Sequence, residues 1–104
     1  TYATKIRNYI DKNYDTDIKI SDIAKIYGFH PNYLCYLFKK EFEISPKKYL
    51  TNLRIQASMN DLLNTDEKLD IIANRNGFSS GNYFCKVFRK SVGMSPNEYR
   101  RNRR

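Results

Sequence analysis

The feature that most constrains the fold of this chain is an internal duplication. Residues 23–29 (IAKIYGF) match residues 72–78 (IANRNGF) at an offset of 49. Residues 32–35 (NYLC) then match residues 82–85 (NYFC) at an offset of 50. Matches in this order predict two copies of one supersecondary unit, with one extra residue in the turn of the second copy.

Each copy has the pattern of two helices joined by a short turn. In the first copy, Ser21 is placed to cap a helix, and Gly28 is the residue type that ends one in the left-handed conformation. Pro31 suits the first turn of the next helix, where a missing amide hydrogen costs nothing. Ala24, four residues before Gly28, is small enough for the two helices to approach closely. This arrangement predicts a helix-turn-helix unit.

The second helix of each copy has one apolar side, because its apolar residues recur at spacings of three and four. They are Leu34, Leu37, Phe38 and Phe42 in the first copy and Phe84, Val87, Phe88 and Val92 in the second. We predict that this side packs in the core and that the opposite side is exposed. Ser79 or Ser80 should cap the helix of the second copy. Tyr33 and Tyr83 are expected to support the core.

The rest of the chain completes an all-α fold of about seven helices, with two helix-turn-helix subdomains joined by a long linker helix. An opening helix precedes the first copy. Ser45-Pro46 starts the linker, which contains no glycine or further proline, and Ser95-Pro96 starts a short last helix. We expect that helix to fray into a basic tail over residues 100–104. The predicted domains are 1–45 (first subdomain), 46–64 (linker helix) and 65–104 (second subdomain with the tail).

Composition narrows the possible functions. The 104 residues carry 19 Lys and Arg against 11 Asp and Glu, a net charge of +8 that favours a polyanionic partner. No apolar run approaches the roughly 20 residues of a membrane-spanning helix. Two Cys and one His provide neither a disulfide framework nor a zinc-site pattern, so we expect free thiols, a cytoplasmic location, no metal and no cofactor. Since no catalytic motif is visible either, we expect no enzyme activity.

Three stretches resemble the AraC/XylS family of bacterial transcription regulators. They are residues 28–34 (GFHPNYL), residues 49–55 (YLTNLRI) and residues 83–100, which end in GMSPNEYR. The resemblance covers nearly the whole chain and implies a sequence-specific regulator that binds double-stranded DNA. Most such proteins are activators that contact RNA polymerase. The resemblance also implies an effector or dimerisation domain on the N-terminal side of this chain.

The sequence departs from the family pattern at four positions. Ser58 stands where Ala is usual, and Asp61 stands where Leu is usual. Cys35 and Tyr36 occupy positions often held by polar or Arg side chains. The base preferences of the first copy therefore cannot be carried over from the family.

We expect DNA contacts on the exposed side of the second helix of each copy, because that helix of a helix-turn-helix enters the major groove. By alignment with the family, the base-facing residues are Asn32, Cys35 and Tyr36 in the first copy and Gly81, Asn82, Cys85 and Lys86 in the second. Phosphate contacts are expected from Lys39, Lys40, Arg89 and Lys90, and from Ser45 and Ser95, which cap helices with free amide groups. Arg54 is expected either to join the linker to a subdomain or to contact DNA.

Two alternatives remain open from the sequence. One is a basic helical module that binds DNA without sequence preference. The other is a module that binds an acidic protein or an anionic membrane, although no single helix has the pattern of a cationic amphipathic membrane helix. If the sequence-specific reading is right, the two copies should contact successive major grooves about 34 Å apart. A linker that is rigid and shorter than this would require the DNA to bend.

Overall fold

The computed structural model describes all 104 residues and contains seven α-helices and no strand. In chain order they are α1 (Tyr2–Asn13), α2 (Ile20–Tyr27), α3 (Pro31–Phe42), α4 (Pro46–Asn64), α5 (Leu69–Arg75), α6 (Gly81–Val92) and α7 (Pro96–Arg103). The predicted all-α class is therefore confirmed, and α4 is the long uninterrupted helix expected between the two copies. None of the seven helices combines the length and the apolar character needed to cross a membrane.

The chain forms two compact units, each with its own core. Unit 1 comprises Thr1–Tyr14 and Ile18–Leu53, and unit 2 comprises Asp15–Asp17 and Arg54–Arg104. The division falls within α4, so the two halves of this helix contribute to different cores. Each unit contains one of the two predicted helix-turn-helix copies.

The core of unit 1 is formed by the apolar sides of four helices. Its buried residues are Ile6 and Ile10 from α1, Ile23 and Ala24 from α2, Leu34 and Phe38 from α3, and Leu50 from α4. Burying one large apolar side chain of this kind contributes roughly 1.5–3 kcal/mol. The phenol of Tyr49 adds a polar link, since its hydroxyl donates to Asp11 Oδ1 at 2.5 Å. Burial, followed by the hydrogen bond to Asp11, raises the pKa of Tyr49 to about 12.

The core of unit 2 repeats this arrangement with larger side chains. Its buried residues are Ile55 and Leu62 from α4, Ile72 and Ala73 from α5, Phe84 and Phe88 from α6, Tyr99 from α7, and Phe78 from the turn. The rings of Phe84 and Phe88 lie 5.6 Å apart in an edge-to-face arrangement, a geometry that aromatic pairs favour. In both units the second helix fully buries two of the four predicted apolar residues, and the other two are partly buried.

The two turns are built alike. Gly28 (φ 70°) and Gly77 (φ 86°) both adopt the left-handed conformation. The amide of Phe29 donates to Ala24 O and that of Phe78 donates to Ala73 O, each at 2.9 Å, which is the longer bond of a Schellman motif. The extra residue of the second copy therefore lies after Phe78, as the change of offset predicted.

The predicted N-cap of α2 is wrong. The helix begins at Ile20 with Lys19 as the N-cap, so Ser21 lies inside its first turn. The amide of Lys19 donates to Asp22 Oδ2 at 2.9 Å, so this carboxylate takes over the capping role. Ile20 also packs against the unit 1 core, and this burial favours the earlier start.

The prediction of a frayed tail from Arg100 is also wrong. α7 continues to Arg103, and the guanidinium of Arg100 donates to the carbonyls of Leu62 (3.1 Å), Thr65 (3.2 Å) and Glu67 (2.9 Å). The last carbonyls of a helix lack intrahelical partners. Arg100 satisfies such groups at and beyond the end of α4, and this bonding holds α7 in place.

Candidate nucleic-acid interface

The two sides of α3 differ sharply. Leu34 and Phe38 are fully buried, whereas the predicted contact residues Asn32, Tyr36, Lys39 and Lys40 are exposed and Cys35 is half-buried. His30 caps the helix, and its Nδ1 accepts a hydrogen bond from the amide of Asn32 at 3.1 Å. Burial on one side thus fixes which side of α3 a partner can reach.

Aromatic rings line part of the exposed side of α3. Tyr36 is 58% exposed, and its ring stacks on that of Tyr33 with centroids 6.4 Å apart. Tyr33 meets Phe29 edge-to-face at 5.3 Å, and Lys40 Nζ lies 5.7 Å from the Tyr36 ring centroid. Tyr33 is half-exposed, so it supports Phe29 with one edge and also forms part of the surface. This surface is both apolar and cationic.

The exposed side of α6 carries one aromatic ring, that of Tyr83, and is otherwise polar. Phe84 and Phe88 are buried, while Asn82, Lys86, Arg89 and Lys90 are exposed. Ser80 caps the helix by accepting from the amide of Tyr83 at 3.1 Å, so the cap lies at the second of the two predicted serines. The predicted contact residues of α6 therefore share one face, as those of α3 do.

Two predicted base-facing residues of unit 2 are less open than their neighbours. Cys85 is half-buried against the unit 2 core, and burial, followed by the charge of Asp70, raises the pKa of its thiol. A Cβ atom at Gly81 would lie 1.9 Å from Asp70 Oδ1. Asp70 is not among the residues predicted from the sequence, and the sequence feature that points to it is the glycine at the first position of α6.

The two predicted phosphate-binding serines differ in their surroundings. Ser45 Oγ accepts from the amide of Lys48 at 3.1 Å, and Lys47 and Lys48 in the first turn of α4 are exposed. Ser95 forms a reciprocal capping box, in which its Oγ accepts from the amide of Glu98 and its own amide donates to Glu98 Oε1, both at 3.1 Å. These hydrogen bonds lower the pKa of Glu98. The N-terminal end of α4 is therefore cationic, whereas the N-terminal end of α7 carries a carboxylate.

The cations on the two exposed faces form no ion pair with an acidic side chain. Ion pairs join Arg75 to Asp61 and Glu67, and Arg104 to Asp66. Five predicted phosphate-contacting or base-contacting cations take part in none of them: Lys39, Lys40, Lys86, Arg89 and Lys90. An unpaired, exposed cation is available to a phosphate without first breaking an ion pair.

Arg54 has a structural role within unit 2. Its Nη2 donates to the carbonyl of Thr16 at 2.8 Å, and burial lowers the pKa of its guanidinium. Of the two expectations for Arg54, the structure favours the link between α4 and a neighbouring segment, here residues 15–17 of the same unit.

Comparison with known proteins places this geometry among bacterial regulators. Residues 15–102 match the helix-turn-helix domain family. The chain is 33% identical over 71 residues to the lactose operon transcription activator of Staphylococcus xylosus, an alignment that covers 68% of this chain and 25% of that protein. The chain spans about a quarter of the length of several curated relatives that it matches and about a tenth of others.

Two solved structures share the whole fold. One is the C-terminal domain of AraT, a response regulator from Geobacillus stearothermophilus, with a TM-score of 0.90, 34% identity and coverage of 97% of this chain and 84% of that one. The other is a Chromobacterium violaceum transcriptional regulator described as containing an AraC-type DNA-binding domain, with a TM-score of 0.77, 29% identity and coverage of 96% and 89%.

Proposed function

We propose that α3 and α6 read the base sequence of double-stranded DNA, because this chain belongs to the AraC-type helix-turn-helix family of transcription regulators. Each helix would enter a major groove with its N-terminal end toward the bases, as the second helix of such a unit does in known complexes. The DNA contacts would come from the exposed faces of unit 1 and unit 2 described above.

One observation carries this proposal. In both units, the second helix is held by a buried apolar side and keeps a contiguous exposed side with an Asn in its first turn and basic residues in its last turn. The two copies differ in most surface residues, yet their second helices share this order of exposed residues. An exposed side that only contacts solvent would not require it. Asn suits base recognition and Lys or Arg suits phosphate binding, so this order of residues fits a helix that points into a groove.

The side chains suggest different base readings by the two units. In unit 2, Asn82 can form two hydrogen bonds with adenine N6 and N7, and Lys86 can donate to guanine O6 and N7. In unit 1, Asn32 has the same option, while the ring of Tyr36 can lie against a thymine methyl group. Each good base contact discriminates by about 1–3 kcal/mol.

Because the units are direct repeats within one chain, the target should contain two different half-sites rather than a palindrome. Their centres should lie about 34 Å apart along the DNA, one helical turn. Phosphate contacts from Lys39, Lys40, Arg89 and Lys90 would fix the register of each helix, with Ser45 and the Lys47–Lys48 pair contributing in unit 1. Ser95 is a weaker candidate, because the carboxylate of Glu98 already occupies its helix end.

At the level of the whole regulator, we propose transcription activation through contact with RNA polymerase and control by an effector or dimerisation domain N-terminal to this chain. The name of the Staphylococcus xylosus relative, a lactose operon transcription activator, supports the activating role. The small share of each relative that this chain covers supports the additional domain.

Selection of bound duplexes from a random pool tests the core of the proposal. We expect an enriched site with two unlike half-sites, and binding that survives a large excess of competitor DNA. Enrichment of no sequence, together with strong binding to any duplex, would favour a non-specific basic module. Binding to anionic vesicles with no DNA binding would favour the membrane alternative.

Thiol alkylation then tests the proposed faces, because Cys35 and Cys85 lie at matched positions on α3 and α6. We expect the selected duplex to slow maleimide labelling of both thiols, and prior labelling to block binding. The variants Cys35→Ser and Cys85→Ser report on one helix at a time. Unchanged labelling of both thiols in the bound complex would contradict the proposal.

A further inference from the structure

α5 places an acidic side chain at the start of α6. Asp70 lies in the first turn of α5 and is exposed. A Cβ atom built on Gly81 would lie 1.9 Å from its Oδ1, 3.1 Å from its Cγ and 3.6 Å from its Cα. The carboxylate of Asp70 therefore occupies the space in which a side chain at position 81 would project.

The structure gives this carboxylate no partner. No hydrogen bond or ion pair joins Asp70 to another residue. An acid in the first turn of α5 does interact favourably with the helix dipole, but that interaction does not require a glycine across from it. A negative charge next to a proposed DNA-reading helix would also repel phosphates, whereas a hydrogen-bond donor on a base edge would be attracted to it.

The arrangement is specific to unit 2. At the offset of 49, the residue of unit 1 that matches Asp70 is Ser21, and the first position of α3 is Pro31 rather than glycine. Unit 1 therefore lacks both the acid and the open space beside it. The two units share their frame, so the pair Asp70 and Gly81 is a difference in surface chemistry.

We propose that Asp70 is a specificity-determining residue of unit 2, whose carboxylate accepts a hydrogen bond from the N4 amino group of a cytosine facing the first turn of α6. This inference rests on the proposed function. In the major groove, cytosine presents the N4 donor, whereas guanine presents only acceptors and thymine an acceptor and a methyl group. Adenine offers the N6 donor beside the N7 acceptor, which would repel the second carboxylate oxygen. Cytosine is therefore the base that a carboxylate in this place selects.

Site selection with matched variants is the first test. We expect the wild type to select cytosine at one position of the unit 2 half-site, and Asp70→Asn and Asp70→Ala to lose that preference while every other position is unchanged. Ser21→Ala is the matched control in unit 1, and Glu41→Gln controls for the loss of one exposed negative charge. If both Asp70 variants select the same base as the wild type at every position, the inference is overturned.

A base analogue isolates the proposed hydrogen bond. Replacing the selected cytosine by 2-pyrimidinone, which lacks the N4 amino group, should weaken wild-type binding about tenfold, the lower part of the range for one base contact. The same replacement should weaken Asp70→Ala binding much less. Equal losses for both proteins would show that the analogue acts only through its effect on the duplex and would refute the contact.

Gly81→Ala provides a second route to the same outcome, because the added methyl group must displace the carboxylate. It should relax the same base position in the wild-type background and have no further effect on that position in the Asp70→Ala background. Circular dichroism melting curves should show all these variants folded. If the wild type itself selects no sequence, the proposed function fails as a whole, and that result differs from a selected site that Asp70 does not influence.

Discussion

Unit 1 and unit 2 share the same pattern of buried residues but differ in their surface residues. The buried residues of α2 and α3 in unit 1 coincide position by position with those of α5 and α6 in unit 2, including the Ala that accepts from the turn phenylalanine. Their surfaces diverge. Position 36 of unit 1 is Tyr where position 86 of unit 2 is Lys, and position 48 is Lys where position 98 is Glu.

Both cores contain aromatic pairs, but the contacts around the two cores differ. In unit 1, the rings of Tyr2, Phe29, Tyr33 and Tyr36 follow one another with centroid distances of 5.1, 5.3 and 6.4 Å. In unit 2, the corresponding contacts are hydrogen bonds and ion pairs. They are formed by Asp61, Glu67, Arg75, Asn76 and Arg100. Aromatic packing does not depend on ionic strength, whereas exposed ion pairs weaken as salt is added. The two cores therefore share one geometry, while each surface has its own chemistry.

The largest expected effect tests whether the two cores are separate. Phe38→Ala and Phe88→Ala each remove a fully buried ring at matched positions, and each should cost about 3–5 kcal/mol of the free energy of unfolding. Denaturant unfolding measures the cost, and amide hydrogen exchange locates it. We expect protection to fall in the unit that carries the substitution.

Leu37→Ala and Val87→Ala serve as controls for this prediction, because both side chains are only partly buried. They should destabilise less than the phenylalanine variants. An equal loss of protection in both units after either phenylalanine substitution would mean that the two cores unfold as one, and the comparison between separate units would lose its basis.

The next effect separates the two reading faces. Tyr36→Ala and Lys86→Ala alter matched positions, and each should weaken binding to the selected site by about 1–3 kcal/mol. Only Lys86→Ala removes a charge, so only this variant should reduce the slope of log K against log salt, by up to about 0.9. Binding titrations at several salt concentrations measure both quantities.

Tyr36→Phe is the control for the first unit. It keeps the ring and should retain most of the affinity if the ring packs on a base. We propose that Tyr36 contacts DNA through its ring and Lys86 through its charge. A salt slope that changes for Tyr36→Ala, or that stays the same for Lys86→Ala, would contradict this assignment.

Most of the frame could be predicted from the sequence, because it depends on local patterns. Apolar spacing fixed the buried sides of α3 and α6, and the two glycines with their following phenylalanines fixed the turns. The start of α2 was missed because two effects, burial of Ile20 and the carboxylate of Asp22, outweighed the serine that looked like a cap. Local capping preferences are weaker than a buried contact of this kind.

What the sequence could not supply were contacts between residues far apart in the chain. The hydrogen bonds of Arg100 to carbonyls at and beyond the end of α4 span 33 to 38 residues, and no local pattern predicts them. Asp61, which departs from the family pattern, accepts from Asn76 Nδ2 at 2.8 Å, so an apparent anomaly satisfies a buried amide. Likewise, Asp70 came into view only through the space beside Gly81. The roles of the DNA-facing residues remain predictions.

A smaller effect concerns the residues that end α3 and α6. Both adopt the left-handed conformation, but the residue is Glu43 (φ 59°) in unit 1 and Gly93 (φ 89°) in unit 2. A side chain in this conformation costs roughly 1–2 kcal/mol. Replacing the residue by glycine removes this cost, but the greater freedom of glycine in the unfolded chain offsets part of the gain in stability. Glu43→Gly should therefore stabilise the protein and Gly93→Ala should destabilise it, each by up to about 1 kcal/mol.

Thermal or urea unfolding measures these changes. A methyl group at position 93 would meet nothing within 4 Å, so the Gly93→Ala result reports backbone strain without a clash. Glu43→Ala distinguishes strain from loss of the carboxylate, because it keeps the Cβ atom and should give no stabilisation. A gain for Glu43→Ala equal to that for Glu43→Gly would assign the effect to charge.

The smallest expected effect concerns the N-terminal ends of α4 and α7. Lys48→Gln should weaken DNA binding a few-fold and reduce the salt slope by about 0.9, the value for one phosphate contact. Glu98→Gln should leave both quantities within error of the wild type. Its hydrogen bonds with Ser95 lower the pKa of Glu98, so the carboxylate is ionised at neutral pH and keeps phosphate away from that end.

The glutamine at position 98 preserves both bonds of the capping box while removing the charge, so a change in binding cannot be attributed to a frayed helix. Titrations with the selected duplex at several salt concentrations compare the two variants directly. If Glu98→Gln strengthens binding as much as Lys48→Gln weakens it, the end of α7 faces a phosphate as well. Both units would then contact the DNA backbone in the same way, with Ser95 binding a phosphate as Ser45 does. The charge of Glu98 would then lower the affinity of unit 2 for DNA.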